Sequence, residues 1–194
     1  TLNICVGSQP AIQMQLFDLP GLTSLWLFFV FGIVVGLVGL LFNIVLMWSL
    51  NQLDKFKPQS QLTYVLLVGL LVGYLAYLYP PTVGGGYNII NQALTMSPNI
   101  KVLCGLLVIR FFTTMLSYST SIPGGIFAPM LALGTLLGLA AFHLLHWLGL
   151  DFSVQPGMFA VAGMGALFAA TVRSPITGVI LVVEMTQNYL LILP

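Results

Sequence analysis

Charged side chains are scarce in this sequence. Its 194 residues include only five Lys and Arg and four Asp and Glu, so 5% are charged, whereas 59% are hydrophobic. Soluble globular domains carry roughly 25% charged residues, so this chain cannot cover itself with a surface that water solvates. The composition therefore excludes an ordinary soluble domain and predicts that lipid or other apolar protein surrounds most of the chain.

Several other features are missing, and each absence excludes a class of protein. A net charge of +1 is too small for a nucleic-acid-binding surface. The two cysteines, Cys5 and Cys104, lie far apart, and Cys104 stands in an apolar run, which argues against a disulfide. The sequence contains no Gly-x-Ser-x-Gly elbow, no His-Glu-x-x-His motif, no P-loop and no paired carboxylates in an apolar run. We therefore expect neither an enzyme nor a protein with a cofactor.

Long apolar runs of unequal length are what the sequence does contain. A helix needs about 20 apolar residues to cross the hydrocarbon core of a bilayer. The runs 22–50, 62–78, 100–118 and 126–147 are near or above this length, whereas 88–96, 157–171 and 176–186 are shorter, and a further helix begins near residue 188. We expect one transmembrane region over residues 1–194, in which residues 1–21 form an extracellular or periplasmic linker.

Glycine and proline interrupt these runs at places where a simple bundle of membrane helices would be continuous. Pro80-Pro81 ends the second run, and the following Val83-Gly84-Gly85-Gly86-Tyr87 is predicted to be non-helical. Irregular backbone at membrane depth is tolerated only where it is buried in protein or lines a cavity. The pattern therefore predicts an all-α integral membrane protein, and it favours a channel or a transporter.

Basic residues give the expected orientation. Lys55 and Lys57 lie in the polar linker 51–61, whereas residues 1–23 contain no Lys or Arg. The positive-inside rule places this linker in the cytoplasm and the N-terminal segment outside. Arg173 is expected on the cytoplasmic side as well. The chain has no initiator Met and stops within an apolar stretch, so we expect it to be part of a longer protein.

The most informative stretch is the segment Gly124-Gly125-Ile126-Phe127-Ala128-Pro129, called here the 124–129 segment. The two glycines allow a sharp turn and a close approach to a ligand, and Pro129 fits the first turn of a helix, where a missing N–H costs nothing. A helix that begins near Ile126 has unpaired N–H groups and a positive dipole end, which together suit an anion. Since the side chains of Ile126, Phe127 and Ala128 are apolar, backbone N–H groups alone would hold the ion. An ordinary helix start after a loop remains the alternative.

Two charged residues within apolar runs are open to two interpretations each. Arg110 is either a functional intramembrane charge or a side chain that pairs with backbone carbonyls at a helix break. Glu184 is either a proton carrier or a carboxylate near a helix end that reaches water. For both residues we favour the second interpretation.

His143 and His146 are three residues apart on one predicted helix. Such a pair can contribute to a metal site, but no carboxylate or thiol nearby in sequence completes one. We therefore predict no metal site and expect a partly solvated pair near the helix end.

The 124–129 segment resembles the third selectivity-filter motif of the ClC family of chloride channels and chloride/proton exchangers. Val83-Gly84-Gly85-Gly86-Tyr87-Asn88 is similar to a glycine-rich loop of that family. Further stretches that look like bacterial members are Met130-Leu131-Ala132-Leu133-Gly134, Phe159-Ala160-Val161-Ala162-Gly163-Met164-Gly165-Ala166, Arg173-Ser174-Pro175-Ile176-Thr177-Gly178 and Glu184-Met185-Thr186.

The resemblance implies the second of two inverted repeats, built from tilted and broken helices and placed in a bacterial inner membrane. It implies that the backbone N–H groups of Ile126 and Phe127 bind chloride, and that Gly124 and Gly125 permit the approach. It also implies a homodimer, with Gly163, Gly165, Ala166 and Gly178 allowing close packing near the interface. The remaining filter segments and the gating and proton-transfer glutamates of the family belong to the first repeat, a partner that this chain lacks.

The expected function is transport of chloride across a lipid bilayer, by a channel or by a proton-coupled antiporter. Chloride is then the transported substrate and not a cofactor. Two alternatives remain open at this stage. The same fold can select another anion, such as fluoride or nitrate, or the chain can be a non-conducting membrane scaffold subunit whose helix breaks are purely structural.

Overall fold

The structure is a computed structural model that describes residues 24–86, 90, 99–122, 124–149 and 154–186. Within these ranges the regular elements are six α-helices and one short 3₁₀-helix over Pro80–Thr82, so the predicted all-α class is confirmed. The predictions for residues 1–21, for the short run 88–96 apart from Ile90, and for a helix from residue 188 lie outside the described residues. The α-helices are α1 (Leu25–Leu53), α2 (Pro58–Leu78), α3 (Ile100–Ser119), α4 (Phe127–Trp147), α5 (Pro156–Val172) and α6 (Pro175–Thr186).

Four of these helices, α1 to α4, are long and apolar enough to cross a membrane. The other two, α5 and α6, have 17 and 12 residues and are shorter than a bilayer requires. The predicted mixture of long and short apolar helices is therefore confirmed. The polar linker is shorter than the predicted 51–61, because α1 continues to Leu53 and α2 already begins at Pro58.

Proline and asparagine explain where several helices begin. Pro58, Pro156 and Pro175 are the first residues of α2, α5 and α6, a position at which proline loses no hydrogen bond. Before α3, the side chain of Asn99 accepts a hydrogen bond from the amide of Lys101 at 3.3 Å, which satisfies one of the unpaired N–H groups of the first turn. Helix α2 ends at Leu78, two residues before Pro80, as the sequence predicts.

The core of the molecule lies where α4 packs against α5, which is the most extensive helix–helix interface of the described chain. A Cβ atom on Gly134 would overlap the carbonyl oxygen of Gly163, and a Cβ on Gly138 would overlap that of Phe159. The backbones of α4 and α5 therefore touch directly, in the manner of a small-xxx-small contact between membrane helices. Residues of α4 that are at most 2% exposed are Met130, Leu131, Ala132, Leu133, Thr135, Leu136 and Leu139.

The same glycine contacts change the interpretation of the small residues expected near a dimer interface. Gly163 packs against Gly134 and Gly138 of α4, and a Cβ on Gly178 would lie 3.1 Å from the carbonyl oxygen of Gly165. These small residues serve contacts between helices of one chain. The expectation of a homodimer therefore depends on the family resemblance and not on these glycines.

Helix α1 covers the other side of α5, and α2 lies at the periphery. The rings of Phe28 and Phe159 stack with their centroids 4.8 Å apart, whereas Val68 is the one buried residue of α2. Large apolar side chains of α2, among them Leu70 and Tyr77, are exposed. Such a surface suits contact with lipid or with further apolar protein.

Candidate functional site

Helix α4 begins where the sequence predicts. Phe127 is its first residue and Ile126 is the residue before it, with no side chain capping the helix start. The first hydrogen bond of the helix joins the amide of Met130 to the carbonyl oxygen of Ile126 at 3.2 Å. Within the described residues, no carbonyl accepts a hydrogen bond from the amides of Ile126 and Phe127, as expected for the first turn of a helix.

The side chains of Ile126 and Phe127 both pack against the hydrophobic core, so only the backbone of these two residues is left to meet a ligand at the helix start. The ring of Phe127 meets that of Phe168 of α5 edge-on, with the centroids 5.3 Å apart. Core packing thus anchors the side chains, while the backbone N–H groups remain without a described partner. Gly124, Gly125, Ala128 and Pro129 complete the segment, so it contains no charged side chain.

The two glycines of the segment act differently from the prediction of a sharp turn. Neither Gly124 nor Gly125 has the positive φ that glycine alone adopts easily, and the left-handed residue of this connection is Ser121, with φ of 58°. A Cβ atom on Gly125 would meet no atom within 4 Å. The glycine at position 125 therefore leaves open space beside the helix start, which is what the close approach of a ligand requires.

A cavity of about 530 Å³ lies beside this segment. Its wall includes Gly124, Gly125, Ala128 and Pro129, together with parts of α2 and α3 and the loop 82–85. Ile126 and Phe127 are not among the residues that line it. The cavity wall thus includes the residues just before and just after Ile126 and Phe127, but not these two residues themselves.

The glycine-rich loop forms the opposite part of the cavity wall. Its non-helical conformation is confirmed for residues 83–86, whereas Tyr87 lies outside the described residues. Gly84 and Gly86 have φ of 75° and 76°, which other residues adopt only with strain. A Cβ on Gly86 would also overlap the guanidinium of Arg110, so this loop requires glycine for both its conformation and its packing.

Arg110 holds the loop in place. It is only 1% exposed, and its Nη1 donates to the carbonyl oxygen of Pro81 at 2.8 Å and to that of Val83 at 3.4 Å. Its Nη2 donates to the carbonyl oxygen of Gly84 at 2.6 Å. The interpretation of Arg110 as a partner of backbone carbonyls at a helix break is therefore confirmed.

Thr113 binds the one carbonyl between Pro81 and Gly84 that Arg110 does not. Its hydroxyl donates to the carbonyl oxygen of Thr82 at 3.2 Å, so side chains of α3 bind all four successive carbonyls from Pro81 to Gly84. Carbonyl oxygens carry partial negative charge and repel an anion. The cavity wall is thereby less negative at this loop, and Arg110, which also lines the cavity, adds a full positive charge there.

Sequence reasoning missed one contact of the 124–129 segment. The hydroxyl of Tyr118, in the last turn of α3, donates a hydrogen bond of 2.5 Å to the carbonyl oxygen of Gly125. No pattern in the sequence indicates this contact, because it depends on the path of the intervening loop. The packing of α4 on α5 was also missed, although the Gly-xxx-Gly spacing of Gly134 and Gly138 was a signal that could have revealed it.

The other candidate residues lie apart from this site. Glu184 is exposed on α6. The rings of His143 and His146 flank that of Phe142, with centroids 6.0 Å and 6.5 Å from it. In the part of the chain that the structure describes, no group of three His, Cys, Asp or Glu side chains is placed to hold a metal ion.

Comparison with known proteins agrees with this architecture. The model of the family described as "Voltage gated chloride channel" matches residues 1–194. The H(+)/Cl(-) exchange transporter ClcA of Vibrio cholerae is 44% identical over 191 residues, which is 97% of this chain and 41% of that protein. ClcA of Salmonella arizonae is 41% identical over 191 residues, which is 97% of this chain and 40% of that protein.

A solved structure gives the same result for the fold. A slow cyanobacterial Cl⁻/H⁺ antiporter superposes with a TM-score of 0.91 at 35% sequence identity, and the match covers 100% of this chain and 45% of that one. The chain thus spans less than half the length of the proteins that it matches. With four helices of membrane-spanning length among its described residues, it is an integral membrane protein that belongs to the voltage-gated chloride channel family, known as ClC.

Proposed function

We propose that the full-length protein containing this chain carries chloride across a membrane in exchange for protons. The relatives from Vibrio and Salmonella are described as H(+)/Cl(-) exchange transporters, and the cyanobacterial protein is described as an antiporter. These descriptions favour an exchanger over a channel. The bacterial relatives also favour the bacterial plasma membrane as the location.

The anion is held at the start of α4 by the backbone N–H groups of Ile126 and Phe127. The observation that carries this assignment is that neither amide has an acceptor among the described residues, at the positive end of a 21-residue helix. Because the segment itself contains no charged side chain, backbone N–H groups and not an ion pair hold the halide, so the ion can leave again.

This chain supplies one wall of the proposed pathway. The remaining wall belongs to the first repeat, and the complete subunit pairs with a second copy in the bilayer, as the family resemblance implies. The exposed apolar surfaces of α1 and α2 are available for lipid and for these contacts.

The transport proposal is tested with the purified full-length protein in liposomes. An outward chloride gradient is imposed, and the external pH and chloride concentration are recorded together. Coupled exchange predicts that protons move inward against a pH gradient while chloride leaves. Chloride efflux without proton movement would indicate a channel, a preference for fluoride or nitrate would identify another selectivity, and no anion flux would favour the scaffold alternative.

The binding site is tested by replacing Gly125 with valine. The new side chain enters space with no atom within 4 Å of its Cβ, so folding should be preserved while the approach of the halide is blocked. Gly105→Val is the matched control, since a Cβ on Gly105 of α3 also meets nothing within 4 Å and this residue does not line the cavity. Calorimetry should show weaker halide binding for G125V only; unchanged binding would overturn the proposed geometry.

A further inference from the structure

Tyr118 connects the end of α3 to the backbone of the 124–129 segment. Its hydroxyl donates to the carbonyl oxygen of Gly125 at 2.5 Å, and both residues line the cavity beside the segment. No ligand is needed to explain this hydrogen bond. Its position matters because the acceptor is the carbonyl immediately before the amide of Ile126.

The carbonyl of Gly125 and the N–H of Ile126 belong to one peptide unit. This unit is planar and trans, as are all peptide bonds of the described chain, so its C=O and N–H point in opposite directions. A partner that fixes the direction of the carbonyl therefore also fixes the direction of the N–H. Gly125 has no side chain to restrict its backbone dihedrals, and no atom lies within 4 Å of its Cβ position, so the hydrogen bond from Tyr118 is a contact that can set this orientation.

We propose that Tyr118 is a positioning residue for anion binding: its hydroxyl holds the Gly125 carbonyl and thereby aims the N–H of Ile126 at the halide. The inference rests on the proposed function and goes beyond it, since it assigns a role to a side chain that does not touch the ion. The hydroxyl hydrogen is committed to the carbonyl, so Tyr118 does not donate it to the anion. The same hydrogen bond prevents the carbonyl oxygen from turning towards the halide and repelling it.

The test compares two variants, each of which loses only one tyrosine hydroxyl. Tyr118→Phe removes the hydrogen bond to Gly125. Tyr64→Phe is the matched control, because the Tyr64 hydroxyl lies 2.6 Å from the hydroxyl of Ser119, next to Tyr118 in sequence, and Tyr64 does not line the cavity beside the segment. Halide affinity is measured by calorimetry on the full-length protein, and the thermal midpoint is measured in halide-free buffer.

The expected result is a dissociation constant about fivefold or more above wild type for Y118F, because a hydrogen bond to an ion is strong and depends on direction. Y64F should remain within about twofold of wild type. Loss of folded protein lowers the calorimetric stoichiometry, whereas a misdirected N–H raises the dissociation constant, so the two causes are separable even if Y118F is less stable.

Two outcomes overturn the inference. One is halide binding by Y118F within about twofold of wild type, and the other is an equal loss of affinity in Y64F. A wild-type protein that binds no halide would instead overturn the proposed function. Crystals of Y118F grown in bromide provide a second measurement: the proposal expects a weaker or displaced anomalous peak beside Ile126 than in wild type.

Discussion

The side-chain amide of Asn43 in α1 donates a hydrogen bond of 3.1 Å to the carbonyl oxygen of Thr171 in α5, although 128 residues separate them in sequence. Thr171 lies in the last turn of α5, where carbonyls have no partner within the helix. The contact therefore caps α5 from a neighbouring helix and ties α1 to it.

Replacing Asn43 with leucine should lower the stability of the protein by about 0.6 to 1 kcal/mol, the usual value of a side-chain hydrogen bond between membrane helices. Thermal unfolding in detergent measures the effect. Ser49→Ala is a suitable control, because the Ser49 hydroxyl donates to Leu46 of its own helix. An N43L protein as stable as wild type would show that the contact contributes nothing.

Replacing Gly138 with valine should be far more damaging, since even its Cβ would overlap the carbonyl oxygen of Phe159. Overpacking at such a site costs about 1–3 kcal/mol or more. We expect a lower thermal midpoint and a smaller monodisperse fraction in size-exclusion chromatography. Gly36→Val is the control, because a Cβ on Gly36 of α1 meets no atom within 4 Å; equal behaviour of the two variants would contradict direct backbone contact between α4 and α5.

Arg110→Lys should weaken the attachment of the glycine-rich loop although the charge is retained. A lysine ammonium is a point donor and cannot reproduce the planar fork that reaches the carbonyls of both Pro81 and Gly84. We expect faster proteolysis or hydrogen exchange in the loop and a loss of about 1–3 kcal/mol for each buried acceptor left unpaired.

Lys101→Met serves as the control for this substitution, because it removes a cationic side chain from an exposed position of the same helix. An R110K protein with wild-type loop protection would show that the charge, and not the geometry of the guanidinium, holds the loop.

The two ends of α2 should be reached by reagents from opposite sides of the membrane. With 21 residues, α2 is about 30 Å long, which equals the thickness of the hydrocarbon core. In a cysteine-free background, Lys57→Cys should react with an impermeant maleimide only in inside-out vesicles, and Tyr79→Cys only in right-side-out vesicles. The reverse pattern would show that the orientation based on Lys55 and Lys57 is wrong.

The boundaries of the helices were largely predictable, because local chemistry determines them. Pro80 marks the end of α2, and the 124–129 segment places the start of α4 at Ile126 within one residue. The linker after α1 was predicted too long, since the polar residues Asn51 and Gln52 still belong to that helix. Polarity alone does not end a helix whose backbone hydrogen bonds continue.

Contacts between distant residues were less predictable. The sequence identified Arg110 as unusual but left two roles open, and only the positions of the carbonyls of Pro81, Val83 and Gly84 decided between them. No pattern in the sequence indicated the hydrogen bond from Tyr118 to Gly125. Such contacts depend on how α3 and the loops meet in space, which is a property of the tertiary structure.

The glycines that bring α4 and α5 into backbone contact limit how this protein can move. A shift of α4 against α5 would move Gly134 and Gly138 away from the carbonyl oxygens of Gly163 and Phe159, and any side chain brought to these contacts would overlap the backbone, since even a Cβ atom has no room there. We therefore expect α4 and α5 to move together as one rigid unit. The 124–129 segment is therefore carried on a tightly packed pair of helices.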